Sequence, residues 1–225
     1  MRASQIKFEE FIESVQPAIT TVILAGGLGT RIGGAKGLQS LHGRALIDWV
    51  LDSISSQSEE VLINANGVHD DYLYFGYPVI ADQTPNWVGP LAGLQSALRL
   101  ARHDWVASVP CDTPFLPVDL IARLYKAVSA ITTVEAAVAV VAGKRQPTIA
   151  LYHKNVLPKL DVYLNSGGRK VNSWLETLHL SEVVLDDAIA FTNINTLDDL
   201  AHANQIAVNV YVKDAIETLI IKKEN

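Results

Sequence analysis

The chain has 225 residues, 49% of them hydrophobic, with 24 acidic and 18 basic side chains for a net charge of −6 and one cysteine, Cys111. That composition suits one globular domain, or one domain with a small lobe, and it excludes an intramolecular disulfide, a cysteine zinc cluster and the basic face that duplex nucleic acid requires. The longest apolar run, Ala136 to Ala142, is too short to cross a bilayer, and Glu9, Glu10 and Glu13 stand where a signal peptide has its apolar core, so a cytoplasmic protein is expected.

In chain order, Ile6, Phe8, Phe11, Ile12 and Val15 fall at helical spacing among acidic residues. Residues 1–18 therefore read as an N-terminal amphipathic helix that packs on the domain. Ile19, Val22, Ile23 and Leu24 read as a buried strand that ends in a glycine loop, Gly26, Gly27 and Gly29, with Arg31 and Lys36 inside it. Successive backbone N–H groups in such a turn form a concavity for phosphate oxygens or base carbonyls, and the two cations add charge. The loop is not a Walker A motif, because Gly37 and Leu38 follow Lys36 where a hydroxyl belongs. It is not the dinucleotide fingerprint either, because Ile32 replaces the third glycine.

Ala45 to Ser56 is then predicted helical, Glu60 to Ala65 a strand, Leu91 to Ala101 a helix, and Trp105 to Val109 a strand. Val118 to Ala130 follows as a helix with Pro117 in its first turn, then strands over Glu135 to Val141 and Thr148 to Tyr152. Val156 to Leu164 and Lys170 to Leu178 read as helices, Phe191 to Asn195 as a strand, and Leu197 to Ala203 as a helix capped by Thr196 with Asp198 and Asp199 in its first turn. Residues 205–225 read as a C-terminal extension that closes a sheet edge or a dimer contact. The alternation predicts a three-layer α/β/α sandwich with parallel crossovers and a Rossmann-like, mostly parallel sheet. Ligands in such a sheet sit beyond the carboxyl ends of the strands, where the glycine loop, Asn64, Asp82 and Asp112 fall.

Asp112, at a strand end, is the carboxylate best placed for Mg²⁺, which prefers one or two carboxylates plus phosphate oxygens and water. An aspartate there also suits a cap for the turn before Pro114. His69-Asp70-Asp71 does not make a metal site, since consecutive residues do not readily converge, and no Ser-His-Asp or Cys-His spacing indicates covalent catalysis.

Leu24-Ala25-Gly26-Gly27, Arg31-Ile32-Gly33 and Lys36 resemble the signature loop of nucleotidyltransferases that attach a nucleoside monophosphate to a phosphorylated acceptor. Gly89-Pro90-Leu91-Ala92-Gly93, Pro110-Cys111-Asp112-Thr113-Pro114, Gln146-Pro147-Thr148-Ile149-Ala150 and Asn193-Ile194-Asn195-Thr196 fall in the order seen in molybdenum cofactor guanylyltransferases, which join GMP to molybdopterin. The resemblance runs from about Thr21 to Ala203, with one departure: Ala35 stands where the family has an acidic residue before the lysine.

This resemblance implies a fold of the nucleotide-diphospho-sugar transferase type over residues 19–204, with a GTP-binding half near 19–115 and an acceptor-binding half near 116–204. It implies catalytic roles for Arg31, Lys36 and Asp112, and a GTP site formed by Leu24, Ala25, Gly26, Lys36, Asn64, Asp82 and Asp112. Asp112 would hold Mg²⁺, with Mn²⁺ as an alternative. Asn193, Asn195 and Arg169 are expected to face the acceptor, and Trp87 to stack on the base or cover the core. The implied partners are GTP, molybdopterin, and the molybdoenzymes or chaperones that receive the product, with neither nucleic acid nor membrane among them. Two alternatives stay open: the same chemistry with CTP or a sugar phosphate, and a carrier that binds nucleotide and cofactor without turnover.

Overall fold

In the computed structural model the described residues are 17–27, 35–67, 69–83 and 89–208. The expected terminal extensions fall largely outside them. Residues 205–208, however, belong to a helix spanning 197–208, which continues past the predicted end at Ala203.

β1 (Ile19–Leu24) is followed by a short hairpin of β2 (Ser40–Leu41) and β3 (Arg44–Ala45), then α1 (Leu46–Ile54) and β4 (Glu60–Asn64). α2 (His69–Leu73), β5 (Val79–Ile80), α3 (Pro90–Leu100) and β6 (Trp105–Pro110) come next. The second half holds α4 (Leu120–Ser129), β7 (Ala136–Val141), β8 (Lys144–His153), α5 (Leu157–Asn165), α6 (Val171–Leu175), β9 (Leu180–Leu185) and α7 (197–208).

A seven-stranded sheet runs in the order β5-β4-β1-β6-β8-β7-β9. β1 lies between β4 and β6 and is parallel to both. A strand so enclosed is buried on both faces and reads as a continuous apolar run, which is why Ile19 to Leu24 was legible. Its side chains still alternate: Ile19 and Ile23 pack with Ile47, Val50, Leu120 and Leu124 of α1 and α4. Val22 faces the other way, toward Leu91 and Leu94 of α3, Leu160 of α5 and Trp174 of α6. Helices therefore cover both faces of the sheet, as the alternating pattern predicts.

The expectation of parallel crossovers fails at β8, which is antiparallel to both β6 and β7. β7 and β8 form a hairpin whose turn residues, Ala142 and Gly143, have φ of 48° and 72°. Positive φ at both positions matches the twist of a two-residue hairpin turn. The ladder shifts register between Val138 and Ala139, opposite the segment containing Pro147, which has no N–H to donate. β8 thus begins at Lys144, earlier than the predicted Thr148.

The predicted strand Phe191 to Asn195 is not a strand. Its alternation is real, since Ile194 is buried while Asn193 and Asn195 are exposed, but the segment joins no ladder. It is held by the Ile194 N–H donating to the Asp112 carbonyl at 2.9 Å, and by Ile194 packing with Leu41, Leu46 and Ala203. β9 at the sheet edge went unpredicted; its half-exposed pattern has no strong period.

One buried carboxylate anchors the far end of β4. Burial pushes the Glu60 carboxyl up, but the Arg102 backbone N–H, the Thr20 hydroxyl and the Arg102 guanidinium outweigh it and hold Glu60 below its usual range. A charge this well bonded is tolerated inside a sandwich.

Candidate active site

From β1 the chain proceeds outward to β4 and β5, then returns through α3 to β6 on the opposite side of β1. The strand order reverses there, opening a crevice beyond the carboxyl ends of β1, β4 and β6. Three backbone bonds stitch the strand ends together past the ladder: Ala25 N–H to the Asn64 carbonyl at 2.8 Å, Ala65 N–H to the Ile80 carbonyl at 3.0 Å, and Cys111 N–H to the Leu24 carbonyl at 3.2 Å. The crevice is a cleft of about 430 Å³ whose walls include Leu24, Gly26, Lys36, Asn64, Asp82 and Asp112, with Asn193 and Asn195 on the far side.

One end of the cleft sets the Asn64 amide against the Asp82 carboxylate. Asn64, buried at the tip of β4, donates through Nδ2 to Asp82 Oδ1 at 2.9 Å and to the Ile80 carbonyl at 3.3 Å. Its neighbours are small for a physical reason: a Cβ on Gly93 would lie 2.1 Å from Asn64 Oδ1, and one on Gly26 would lie 3.2 Å from it. Gly93 thus makes room for the asparagine side chain itself. The left-handed residue of the turn after β4 is Gly67, with φ of 79°.

The other end carries the cleft's lysine. The Lys36 ammonium pairs with Asp112 Oδ2 and donates to Asn195 Oδ1 at 2.6 Å. Lys36 opens a 3₁₀ turn, Lys36–Leu38, and the next residue must be glycine: a Cβ on Gly37 would come within 2.8 Å of the Tyr72 hydroxyl and 3.2 Å of Cys111 Cβ. This close seating brings the lysine to the end of β6. The family's acidic neighbour is Ala35 here, and the lysine takes its orientation through space from Asp112 and Asn195.

Asp112 is 9% exposed, and its Oδ1 is buried with no hydrogen-bond partner among the described residues. An unsatisfied buried carboxylate oxygen is costly unless a ligand completes it. Among the described residues no group of three or more His, Cys, Asp or Glu converges. A cation at Asp112 would take that carboxylate together with phosphate and water oxygens, a donor set that fits Mg²⁺.

Asn193 and Asn195 flank the buried Ile194 and both reach the cleft, as positions two apart on an extended chain do. Thr113 Oγ1 donates to Asn193 Oδ1 at 2.6 Å. The backbone N–H groups of Asn195 and Thr196 each donate to Asp199 Oδ2 at 2.9 Å, and Asp199 N–H donates to Thr196 Oγ1 at 3.1 Å. This is a capping box on α7. The bonds from Asn195 and Thr196 hold the Asp199 carboxyl below its usual range. The cap predicted for helix stability thus also fixes the backbone that presents Asn195 to Lys36.

Of the expected site residues, Ala25 is buried in the core and is not among the cleft's wall residues. Arg31 lies outside the described residues, as does Trp87. Arg169 does not line the cleft; its guanidinium donates to the Leu164 carbonyl at 2.9 Å and the Gly168 carbonyl at 2.6 Å, where it caps the carboxyl end of α5. Cys111 lines the cleft, and burial, with the Asp112 carboxylate beside it, pushes its thiol up to about 12. Sequence reasoning missed Asn66 and Thr113. The signals available were the Asn-x-Asn spacing after β4 and a threonine adjacent to Asp112.

The MobA-like NTP transferase domain matches residues 21–183. A molybdenum cofactor guanylyltransferase of Cupriavidus metallidurans is 45% identical over 188 residues, covering 81% of this chain and 92% of that protein. One from Vibrio vulnificus is 40% identical over 195 residues, covering 85% and 98%. Among solved structures, the molybdopterin-guanine dinucleotide biosynthesis protein A of Archaeoglobus fulgidus superimposes with a TM-score of 0.70 at 28% identity, covering 84% of this chain and 99% of that one. A CMP:2-keto-3-deoxy-manno-octonic acid synthetase complexed with CTP gives 0.69 at 12% identity, covering 87% and 99%, a likeness of fold alone. The chain belongs to the MobA-like NTP transferases and, among them, to the molybdenum cofactor guanylyltransferases.

Proposed function

We propose that this cleft transfers GMP from GTP to molybdopterin and releases pyrophosphate. The observation that carries the site assignment is the state of Asp112. One carboxylate oxygen is held by Lys36 and the other is buried and unclaimed among the described residues, at the switch point of the sheet and across from a polar pocket lined by glycines.

In this reading the backbone of Leu24, Ala25 and Gly26 meets the edge of the guanine, and Asn64 and Asp82 flank the nucleoside. The triphosphate extends toward Lys36, and Arg31 is assigned the leaving pyrophosphate. An oxygen of the acceptor's phosphate forms a bond to the α-phosphorus of GTP as the bond to the β-phosphate oxygen breaks, and pyrophosphate departs in line. A phosphate monoester has a second pKa of roughly 6 and is already mostly dianionic near neutral pH, so no general base is required. Catalysis then consists of positioning and of cations fixed where negative charge develops. In this reading Lys36, braced between Asp112 and Asn195, bridges the acceptor and nucleotide phosphates, and Asn193 and Asn195 face the acceptor. Asp112 would hold Mg²⁺, or Mn²⁺ in its place, and the ion would supply charge neutralisation on the phosphates.

No helix among the described residues is long and apolar enough to cross a membrane. The reading places the reaction in the cytoplasm, with hand-over of the product to molybdoenzymes or their chaperones.

The test incubates labelled GTP, ATP or CTP with the divalent ion and molybdopterin, or with sugar phosphates, and follows labelled product. A site that hydrogen-bonds one base edge leaves buried groups unpaired with another base, so GTP should be preferred by up to roughly 10⁴-fold. Preferred use of CTP or of a sugar phosphate would contradict the reading, and tight GTP binding without product would make the chain a carrier.

A second expectation concerns Gly93→Ala. The new methyl displaces the Asn64 side chain from its bonds to Asp82 and Ile80, whereas alanine favours the helix by up to about 1 kcal/mol. GTP affinity should fall about tenfold or more, equivalent to roughly 1.4 kcal/mol, with helix content preserved by circular dichroism. Wild-type affinity in this variant would remove Asn64 from the nucleotide site.

A further inference from the structure

Asn66 lies two residues beyond β4, half-buried, and is not one of the cleft's wall residues. Its side-chain amide nevertheless clasps Asp82 at two points: Nδ2 donates to Asp82 Oδ2 at 2.8 Å, and Oδ1 accepts the Asp82 backbone N–H at 2.9 Å. Asn64 holds the opposite carboxylate oxygen, Oδ1, at 2.9 Å. Both oxygens of Asp82 are thereby gripped by amides from one short segment. Asp82 itself stands outside any helix or strand, after a two-residue β5, so its own local structure does little to aim it.

The same amide nitrogen lies close to the glycine turn, where a Cβ on Gly26 would come within 2.8 Å of Asn66 Nδ2. Asn66 thus sits between the turn after β1 and the loop after β5, two walls of the Asp82 end of the cleft. A carboxylate oxygen accepts about two hydrogen bonds. With one site on each oxygen taken by an amide, and Asp82 in the cleft wall, each oxygen retains capacity for a further donor.

We propose that Asn66 is a positioning residue for nucleotide binding: it fixes the Asp82 carboxylate in the arrangement that receives the O–H and N–H donors of the nucleoside. This rests on the assignment of the cleft to GTP. Acting through Asp82, Asn66 influences substrate binding and leaves the phosphate chemistry at Lys36 and Asp112 alone.

The experiment is a double-mutant cycle on the full chain, with GTP as the varied substrate and pyrophosphate release as the signal, using wild type, Asn66→Ala, Asp82→Ala and the double variant. Asn66→Ala should raise KM for GTP about tenfold, with the loss falling on KM rather than kcat, as expected for removing a hydrogen-bonded support and not a transition-state contact. The double variant should be no worse than Asp82→Ala alone. Asn66→Asp keeps the size and replaces the donor with an acceptor that repels Asp82, so it should raise KM at least as much. It serves as the test if thermal melting shows that the alanine variant does not fold. Additive losses, an unchanged KM in both Asn66 variants, or a loss confined to kcat would overturn the proposal. If Asp82→Ala raises KM and neither Asn66 variant does, the positioning role alone falls. If Asp82→Ala itself leaves KM unchanged, the nucleotide assignment of this end of the cleft falls with it.

Discussion

Asp112→Asn is expected to lower metal-dependent pyrophosphate release by at least 10²- to 10³-fold, the scale for removing one preorganised electrostatic group. The reason is specific to this carboxylate. Its Oδ1 is buried with no partner among the described residues, and its Oδ2 faces the Lys36 ammonium, so the group is arranged for a cation and contributes little to holding the fold. Backbone atoms make its structural contacts: the Asp112 carbonyl accepts the Ile194 N–H. The asparagine retains that bond and nearly the same volume, and loss of a partly exposed ion pair is offset by relief of an unsatisfied charge. The melting temperature should therefore shift by no more than about 3 °C, which corresponds to roughly 1 kcal/mol for a chain of this size. Unimpaired pyrophosphate release would rule out Asp112 as the metal ligand. A collapse in melting temperature would instead make it a structural cap.

Lys36→Ala is expected to cost turnover about a hundredfold or more. Lys36 bridges the end of β6 to the 193–195 segment, so the variant loses both a cation and the group that draws Asn195 toward Asp112. Arginine should not restore activity. Its planar fork is longer than an ammonium, and the seat formed by Gly37 against Tyr72 and Cys111 leaves the backbone no freedom to retreat. Steady-state pyrophosphate release on the two variants checks this. Wild-type turnover by Lys36→Ala would mean that Ala35 marks a real divergence from the family and that the lysine only neutralises Asp112.

These side chains were visible in the sequence because each sits where a periodic pattern stops. The apolar run of β1 ends at the glycine turn, that of β4 at Asn64 and that of β6 just before Asp112, and in a doubly covered sheet those ends converge. The direction of β8 was not visible, because a two-residue period is the same read either way. The turn that reverses it is Ala142-Gly143, a weaker hairpin signal than Asn-Gly or Asp-Gly. The 191–195 segment carries the alternation of a strand without a partner strand, since its burial comes from Ile194 packing against the β2–β3 hairpin and α7. Arg169 looked like a ligand residue because it follows Gly167-Gly168, but that same glycine pair ends α5 and leaves carbonyls for the guanidinium to cap. Asn66 was missed because its contribution is a contact between two loops far apart in sequence, for which no local pattern exists.

The most direct test of the whole assignment is a crystal structure of the chain with a GTP analogue that cannot be cleaved between the α- and β-phosphates, grown with Mn²⁺ for its anomalous signal. The account predicts a manganese peak within coordination distance of Asp112, phosphates beside Lys36, the guanine against Leu24 to Gly26, and the sugar and base edge within reach of Asn64 and Asp82. An analogue bound elsewhere, or a manganese ion held without Asp112, would contradict it.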